Sequence, residues 1–277
     1  MTTRFGLSDF RKMKSDNEKI AMLTAYTTWQ ARLAEEAGAE MLLVGDSVGM
    51  VEHGLPDTLG VTLDMMVLHC AAVSRGSNKA FLVGDMPFMS YEVDDREAVR
   101  NAGRLLRDGH VQAVKLEGGI SRVDTIKAIL KAGIPVMGHV GLTPQSSTAL
   151  GGFKVQGKDK EGARRVLEDA LAVEEAGAFA VVLECVPSPL AKLISEKLVI
   201  PTIGIGAGPD CDGQVLVLHD VIDLYGAFRP KFVKVFAEGG KVITDALSKY
   251  VDEVKKTGFP GVEHSFKMDT TLLEEMK

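Results

Sequence analysis

The segment Glu174-Glu175-Ala176-Gly177-Ala178-Phe179-Ala180-Val181-Val182-Leu183-Glu184 decides the fold. It opens as the end of a helical stretch. Its glycine can take the left-handed conformation that terminates a helix, and its apolar run suits a strand buried on both faces. An acid closes the run. The helix–glycine–strand phrase returns as Glu35-Glu36-Ala37-Gly38 before Met41–Val44, and as Leu106-Arg107-Asp108-Gly109 before Val111–Leu116. It returns again as Leu130-Lys131-Ala132-Gly133 before Ile134–Met137. Such repetition spells βαβ units and a parallel sheet.

Working outward, eight candidate strands emerge: Ile20–Thr24, Glu40–Val44, Ala80–Gly84, Gln112–Leu116, Pro135–His139, Phe179–Leu183, Pro201–Gly204 and Gln214–Leu218. Eight closes a (βα)8 barrel, an α/β fold for which 277 residues is an ordinary single-domain length. Helices are expected from Asp94 and Asp95 to about Asp108, over Glu161–Ala176 and over Pro189–Leu198. The spacing between strands seven and eight is too short for a usual crossover, so the seventh helix is expected to be short or missing. An open doubly wound sheet is the alternative. An extra C-terminal helical segment is expected over Phe236–Lys256, with a tail from about residue 258 outside the barrel. Two long loops, Ser47–Thr62 and Val140–Lys160, fall on the face where barrels carry function.

Hydrophobic residues make up 45% and charged residues 25%, and the formal charge is −6. No basic stripe appears, which argues against a nucleic-acid partner. The first twenty residues are polar and charged, and no apolar run approaches a membrane span. Three widely spaced cysteines, Cys70, Cys185 and Cys211, form no metal motif and suit a reducing compartment. A cytoplasmic protein is expected.

Four acids stand where apolar strands should meet solvent: Asp46, Asp85, Glu117 and Glu184. On parallel strands they converge on one rim. Asp46 and Asp85 share the pattern Val-Gly-Asp; two such carboxylates suit Mg²⁺, and capping of the following loop is the bland alternative. Lys115 and Glu117 are two residues apart and point the same way along a strand. They form either a substrate-binding cation with a metal-directed acid or a salt bridge in the barrel mouth. A Schiff-base role for Lys115 is disfavoured, because the nearby acids keep it protonated. Glu184 ends an apolar strand, where desolvation raises its pKa and suits it to act as a general base; a glutamate bonded to backbone amides is the alternative. His139 is a further candidate as ligand, base or oxyanion donor, or as a structural histidine. His53, His69, His110, His219 and His264 show no zinc spacing. Gly204-Ile205-Gly206-Ala207-Gly208 reads as a tight turn, with Asp210 and Asp212 opposing a phosphate there.

Several blocks resemble the ketopantoate hydroxymethyltransferase family. They are Leu43-Val44-Gly45-Asp46-Ser47-Val48-Gly49-Met50, Gly84-Asp85-Met86-Pro87-Phe88-Met89, Val114-Lys115-Leu116-Glu117-Gly118-Gly119, Gly138-His139-Val140-Gly141-Leu142-Thr143-Pro144-Gln145 and Leu183-Glu184-Cys185-Val186-Pro187. Gly204–Gly208 and Glu263-His264-Ser265-Phe266 extend the likeness. One departure is Gly60, where the family carries proline. The resemblance implies a Mg²⁺-dependent (βα)8 barrel of pantothenate synthesis, moving a hydroxymethyl group from 5,10-methylenetetrahydrofolate to 3-methyl-2-oxobutanoate. It implies Asp46 and Asp85 as metal ligands, Glu117 in the metal's outer sphere, and Asp46, Ser47, Asp85 and Lys115 as oxoacid contacts. It implies Glu184 as proton acceptor and a homodecameric assembly. Three rivals stand beside it: a Mg²⁺-dependent 2-oxoacid lyase of the phosphoenolpyruvate mutase and isocitrate lyase type, a Schiff-base aldolase, and a non-catalytic oxoacid-binding barrel.

Overall fold

The computed structural model describes residues 4–276 apart from 225, 227 and 228. The strands are β1 (Ile20–Thr24), β2 (Met41–Val44), β3 (Phe81–Asp85), β4 (Ala113–Lys115), β5 (Val136–Gly141), β6 (Ala180–Glu184), β7 (Thr202–Ile205) and β8 (Gly213–Leu216). They pair in chain order, all parallel, and Met22 of β1 opposite Val215 of β8 closes the barrel. The open-sheet alternative is thereby set aside.

The helices are α1 (Leu7–Ser15), α2 (Thr28–Glu36), the single turn α3 (Val48–Val51), α4 (Leu63–Gly76) and α5 (Asp95–Arg107). They continue as α6 (Val123–Lys131), α7 (Lys160–Glu175), α8 (Ser188–Lys197), the single turn α9 (Leu218–Val221) and α10 (Gly239–Lys255). Local chemistry sets several starts. The Asp94 carboxylate accepts from the Glu97 N–H at 2.7 Å, and Asp159 accepts from the Gly162 N–H at 2.7 Å. Such caps contribute about 1 kcal/mol each. Gly38, Gly133 and Gly177 take positive φ at helix ends, as expected. In the phrase at 106–109 the left-handed residue is instead His110, while Gly109 is needed for close approach: an added Cβ would lie 2.7 Å from Cys70 Cβ.

No helix joins β7 to β8. Residues 206–212 extend over about 23 Å at most, enough to return along a strand of about 13 Å without one. Gly206 and Gly208 supply positive φ in that connection, packed against Phe232 and Ser188. Asp212 holds the turn by pairing with Lys14 at 2.8 Å and accepting from Thr202 N at 2.8 Å.

Residue alternation divides the core into two layers. Leu42, Val44, Leu82, Val114, Leu116, Val181 and Leu183 face the helices. Met41, Leu43, Phe81, Val83, Ala113, Met137, Ala180 and Val182 fill the barrel interior. The polar N-terminus hides a helix not expected from its composition. Phe10 of α1 is fully buried and meets Phe81 edge-on at 5.4 Å, and Phe81 meets Phe179 in the same way at 5.6 Å. This aromatic plug closes the barrel floor; burying Phe10 is worth roughly 1.5–3 kcal/mol.

At the C-terminus the helix begins at Gly239 rather than Phe236, whose N–H bonds back to the Val221 carbonyl at 2.8 Å. None of the residues of α10 is buried. Among the described residues, no helix is long and apolar enough to cross a membrane.

Candidate active site

The same alternation that packs the interior delivers its charges. Phe81 and Val83 face inward, so Asp85 does too; Ala113 leads to Lys115 and then Glu117, Met137 to His139, and Val182 to Glu184. The lower layers are apolar and the top layer is ionic. Asp46 breaks the pattern, since strict alternation from Leu43 would turn it outward. Strand β2 stops at Val44, and a turn closed by the Val48 N–H on the Gly45 carbonyl at 3.1 Å brings Asp46 back.

The result is a buried cluster. Asp46 is 5% exposed, Asp85 2%, Lys115 3%, Glu117 4% and His139 3%. Asp46 and Asp85 adjoin: the Asp46 N–H donates to Asp85 Oδ2 at 3.2 Å. Lys115 Nζ lies 2.8 Å from Asp85 Oδ1 and 3.1 Å from His139 Nδ1. His139 Nε2 lies 3.1 Å from Glu184 Oε2, and Nδ1 lies 3.6 Å from Glu117 Oε1. Neither Asp85 Oδ1 nor His139 Nε2 makes an aligned hydrogen bond, despite these approaches. The contacts are close in distance but poor in direction. Ser47 follows Asp46 and its hydroxyl pairs with the Tyr26 hydroxyl at 2.8 Å.

Burial sets the protonation states. It raises the Asp46 carboxyl to about 7, with the Asp85 charge adding to the effect. Burial also raises Glu184 to about 7 and holds Glu117 well above the usual carboxylate range. Burial opposes the charge on Lys115, but Asp85, Glu117 and Asp46 outweigh it and keep the ammonium protonated. Burial, then the Lys115 charge, pushes His139 well below the usual imidazole range. His139 is therefore neutral. Its Nδ1 accepts from Lys115, which places the ring proton on Nε2, facing Glu184.

Two residues without a role in the sequence reading complete the arrangement. Gln145, 5% exposed, donates from Nε2 to Asp46 Oδ2 at 2.9 Å and to the Met86 carbonyl at 2.9 Å. Its backbone N–H donates to Glu117 Oε2 at 3.0 Å. Tyr91 donates its hydroxyl to Gln145 Oε1 at 2.6 Å and accepts from the Glu117 N–H at 3.2 Å. The sequence signals for Gln145 are its place in the long loop after β5 and at the end of the family-like block Gly138–Gln145, neither of which gives it a role. On the far side, Gly141 at φ +92° lets the Leu142 N–H reach the Glu184 carbonyl at 2.8 Å; a Cβ there would strike that carbonyl.

A divalent metal can be tested against this donor set. Four carboxylates face one cation, and the buried Asp85 Oδ1 has only the poorly aligned Lys115 ammonium at 2.8 Å as a neighbour of opposite charge. The described residues hold no ready-made cluster of three or more metal-ligating side chains. Mg²⁺ needs none, because it takes one or two carboxylates and completes its shell with water and substrate oxygens. The paired Asp46 and Asp85 fit that demand.

Comparisons with known proteins identify the family. A family model described as ketopantoate hydroxymethyltransferase matches residues 4–262. The 3-methyl-2-oxobutanoate hydroxymethyltransferase of Enterococcus faecalis is 55% identical over 267 residues, covering 96% of this chain and 97% of that one. The enzyme of the same name from Carboxydothermus hydrogenoformans is 54% identical over 273 residues, covering 99% of each. Among solved structures, phosphonopyruvate hydrolase superposes with a TM-score of 0.63 at 13% identity, over 100% of this chain and 95% of its own. A 2,3-dimethylmalate lyase of the phosphoenolpyruvate mutase and isocitrate lyase superfamily gives 0.58 at 18% identity, over 97% and 93%. At such identities these two share the barrel alone. The close sequence relatives and the family model together make this chain a member of the ketopantoate hydroxymethyltransferase family.

Proposed function

We propose that this protein transfers a hydroxymethyl group from 5,10-methylenetetrahydrofolate to 3-methyl-2-oxobutanoate, giving 2-dehydropantoate; its relatives' names give the acceptor and the group transferred, and the family resemblance implies the folate donor. In this reading Asp46 and Asp85 hold Mg²⁺ with Glu117 in the outer sphere, and Asp46, Ser47, Asp85 and Lys115 contact the oxoacid. Bound there, the ion supplies Lewis-acid stabilisation of the negative charge that develops on the oxoacid.

The chain's own residues do the rest. Glu184, its carboxyl raised to about 7, accepts the C3 proton near neutral pH. Neutral His139 sets its Nε2 3.1 Å from Glu184 Oε2 without an aligned hydrogen bond, so burial keeps the Glu184 carboxyl raised and the Lys115 charge partly offsets it. Lys115 offsets the charge of the oxoacid and of the developing oxyanion. The new bond joins C3 to the methylene carbon, water supplies the hydroxyl oxygen, and tetrahydrofolate leaves. The observation that carries this reading is the meeting, at one buried mouth, of the Asp46–Asp85 pair with a desolvated glutamate across the barrel.

A lyase reading draws support from the shared barrel, but at 13–18% identity against 54–55% for the hydroxymethyltransferases. The cytoplasmic location expected from the sequence belongs to this reading; the three cysteines are free. So does a homo-oligomer, supported by the exposed apolar face of α10: Val242, Ile243, Leu247, Tyr250, Val251 and Val254. The decisive experiment follows the C3 hydrogen of 3-methyl-2-oxobutanoate in D2O by NMR, with and without Mg²⁺. Exchange is expected to need the metal and to vanish in Glu184→Gln. Exchange that persists in the variant reassigns the base.

A further inference from the structure

The barrel mouth suits a small oxoacid, but the reaction needs a second, larger substrate. A cleft of about 410 Å³ opens beside the mouth, within the usual size of ligand pockets. Its walls come from the two loops that begin at Asp46 and Asp85: Leu59, Val61 and Leu63 on one side, Pro87 and Phe88 on the other. Pro87 is two residues past Asp85, so their Cα atoms are at most about 7 Å apart. The Ser90 N–H folds the second loop back onto the Pro87 carbonyl at 3.0 Å.

The cleft has a polar end that packing does not explain. Ser90 lines it, is 5% exposed, and its Oγ has no hydrogen-bond partner. A buried hydroxyl left unpaired is costly unless a ligand completes it. Asn101 donates to the Ser90 carbonyl at 2.8 Å, and its amide oxygen has no partner among the described residues. Glu97, half-buried on the first turn of α5, makes no ion pair among the described residues. On the apolar side Phe88 is 38% exposed, and Met89 holds a left-handed φ of +65° that only a constrained turn sustains.

We propose that this cleft seats the pterin head of the one-carbon carrier, an assignment that rests on the function proposed above. A flat heteroaromatic ring suits the apolar wall. Its 2-amino and ring N–H donors match the Glu97 carboxylate and the Asn101 amide oxygen, and its carbonyl accepts from the Ser90 hydroxyl. The reactive nitrogen belongs to the pterin ring system, so the ring must lie beside the oxoacid, as a cleft starting next to Asp85 allows. The acidic benzoylglutamate tail points away from Glu97, toward solvent.

Calorimetry of the Mg²⁺-loaded full chain with tetrahydrofolate, and with 6-methyltetrahydropterin, tests this. Glu97→Gln is expected to weaken both ligands about tenfold or more, and Ser90→Ala about threefold to tenfold. C3 exchange on the oxoacid, which needs no carrier, continues in both variants. The assignment is overturned if both variants bind within twofold of the wild type, or if p-aminobenzoylglutamate rather than the pterin competes for the cleft. Loss of exchange in the wild type itself would instead overturn the proposed function, whatever the pterin affinities.

Discussion

Gln145 Nε2 donates to Asp46 Oδ2 at 2.9 Å, although ninety-nine positions separate the two residues along the chain. Through its backbone N–H and Tyr91, the same glutamine also holds Glu117. One residue thus orients a carboxylate from the loop after β2 through its side-chain amide and another just past β4 through its backbone N–H. Outer partners of this kind typically change metal affinity or activity by 10- to 100-fold when removed. Gln145→Ala is expected to weaken Mg²⁺ binding by about tenfold, read by calorimetry, with unchanged far-ultraviolet circular dichroism. An unchanged Mg²⁺ affinity would count against this positioning role.

Metal loading should depend on pH. Burial and the neighbouring Asp85 raise the Asp46 carboxyl of the metal-free protein to about 7. A ligand must shed its proton to bind, so Mg²⁺ uptake near pH 6 releases protons and weakens as pH falls through 7. Calorimetry in buffers of different ionisation enthalpy measures that release. Heats independent of the buffer would argue that Asp46 is already ionised or is not a ligand.

Glu184 ties activity and stability together with opposite signs. Only the ionised base accepts a proton, so C3 exchange should rise with pH and level off above about 7. Its folded carboxyl is raised from 4.5, so its stabilising contribution is complete below 4.5 and is lost as pH rises through about 7. The loss is on the order of 3 kcal/mol. Glu184→Gln should therefore melt higher than the wild type at pH 8, and the gap should close toward about pH 5. A variant that melts lower at pH 8 would contradict the desolvation of this group.

Lys115 is the one cation in the buried cluster, 2.8 Å from Asp85. Lys115→Met would leave Asp85 uncompensated beside Asp46, at a cost of about 3–5 kcal/mol. Urea unfolding with and without Mg²⁺ should show this loss, with a larger Mg²⁺-induced recovery in the variant than in the wild type. Equal stability in metal-free buffer would show that the ion pair does not balance the cluster.

The exposed face of α10 offers a separate check. Leu247 and Val251 are one helical turn apart, 60% and 44% exposed. Replacing both with glutamate should lower the particle mass measured by light scattering while leaving the barrel's melting transition within about 2 °C. An unchanged mass would place the assembly interface elsewhere.

Much of this molecule was legible from local patterns. Helix, glycine and apolar run announce βαβ units wherever they occur, and strict alternation carries Asp85, Lys115, Glu117, His139 and Glu184 to the barrel axis. Both signals depend only on backbone geometry over a few residues. The missing seventh helix followed from chain length alone, because so few residues cannot hold one and still make the return.

Other features needed the closed barrel. Alternation misdirects Asp46, and only the turn after β2, packed on its neighbours, returns its carboxylate to Asp85. Composition concealed α1, whose two buried side chains, Phe10 and Met13, gain their stability from the barrel floor. Gln145 and Tyr91 carry no periodic signature, since loops have none. Sequence by itself determined the repeat, the strand faces and the acids near their ends, because these are set by neighbours along the chain. Tertiary structure alone decided which carboxyls share a water-poor centre that makes them hold their protons and which glutamine aims them, because desolvation and cross-loop hydrogen bonds exist only once distant segments have met.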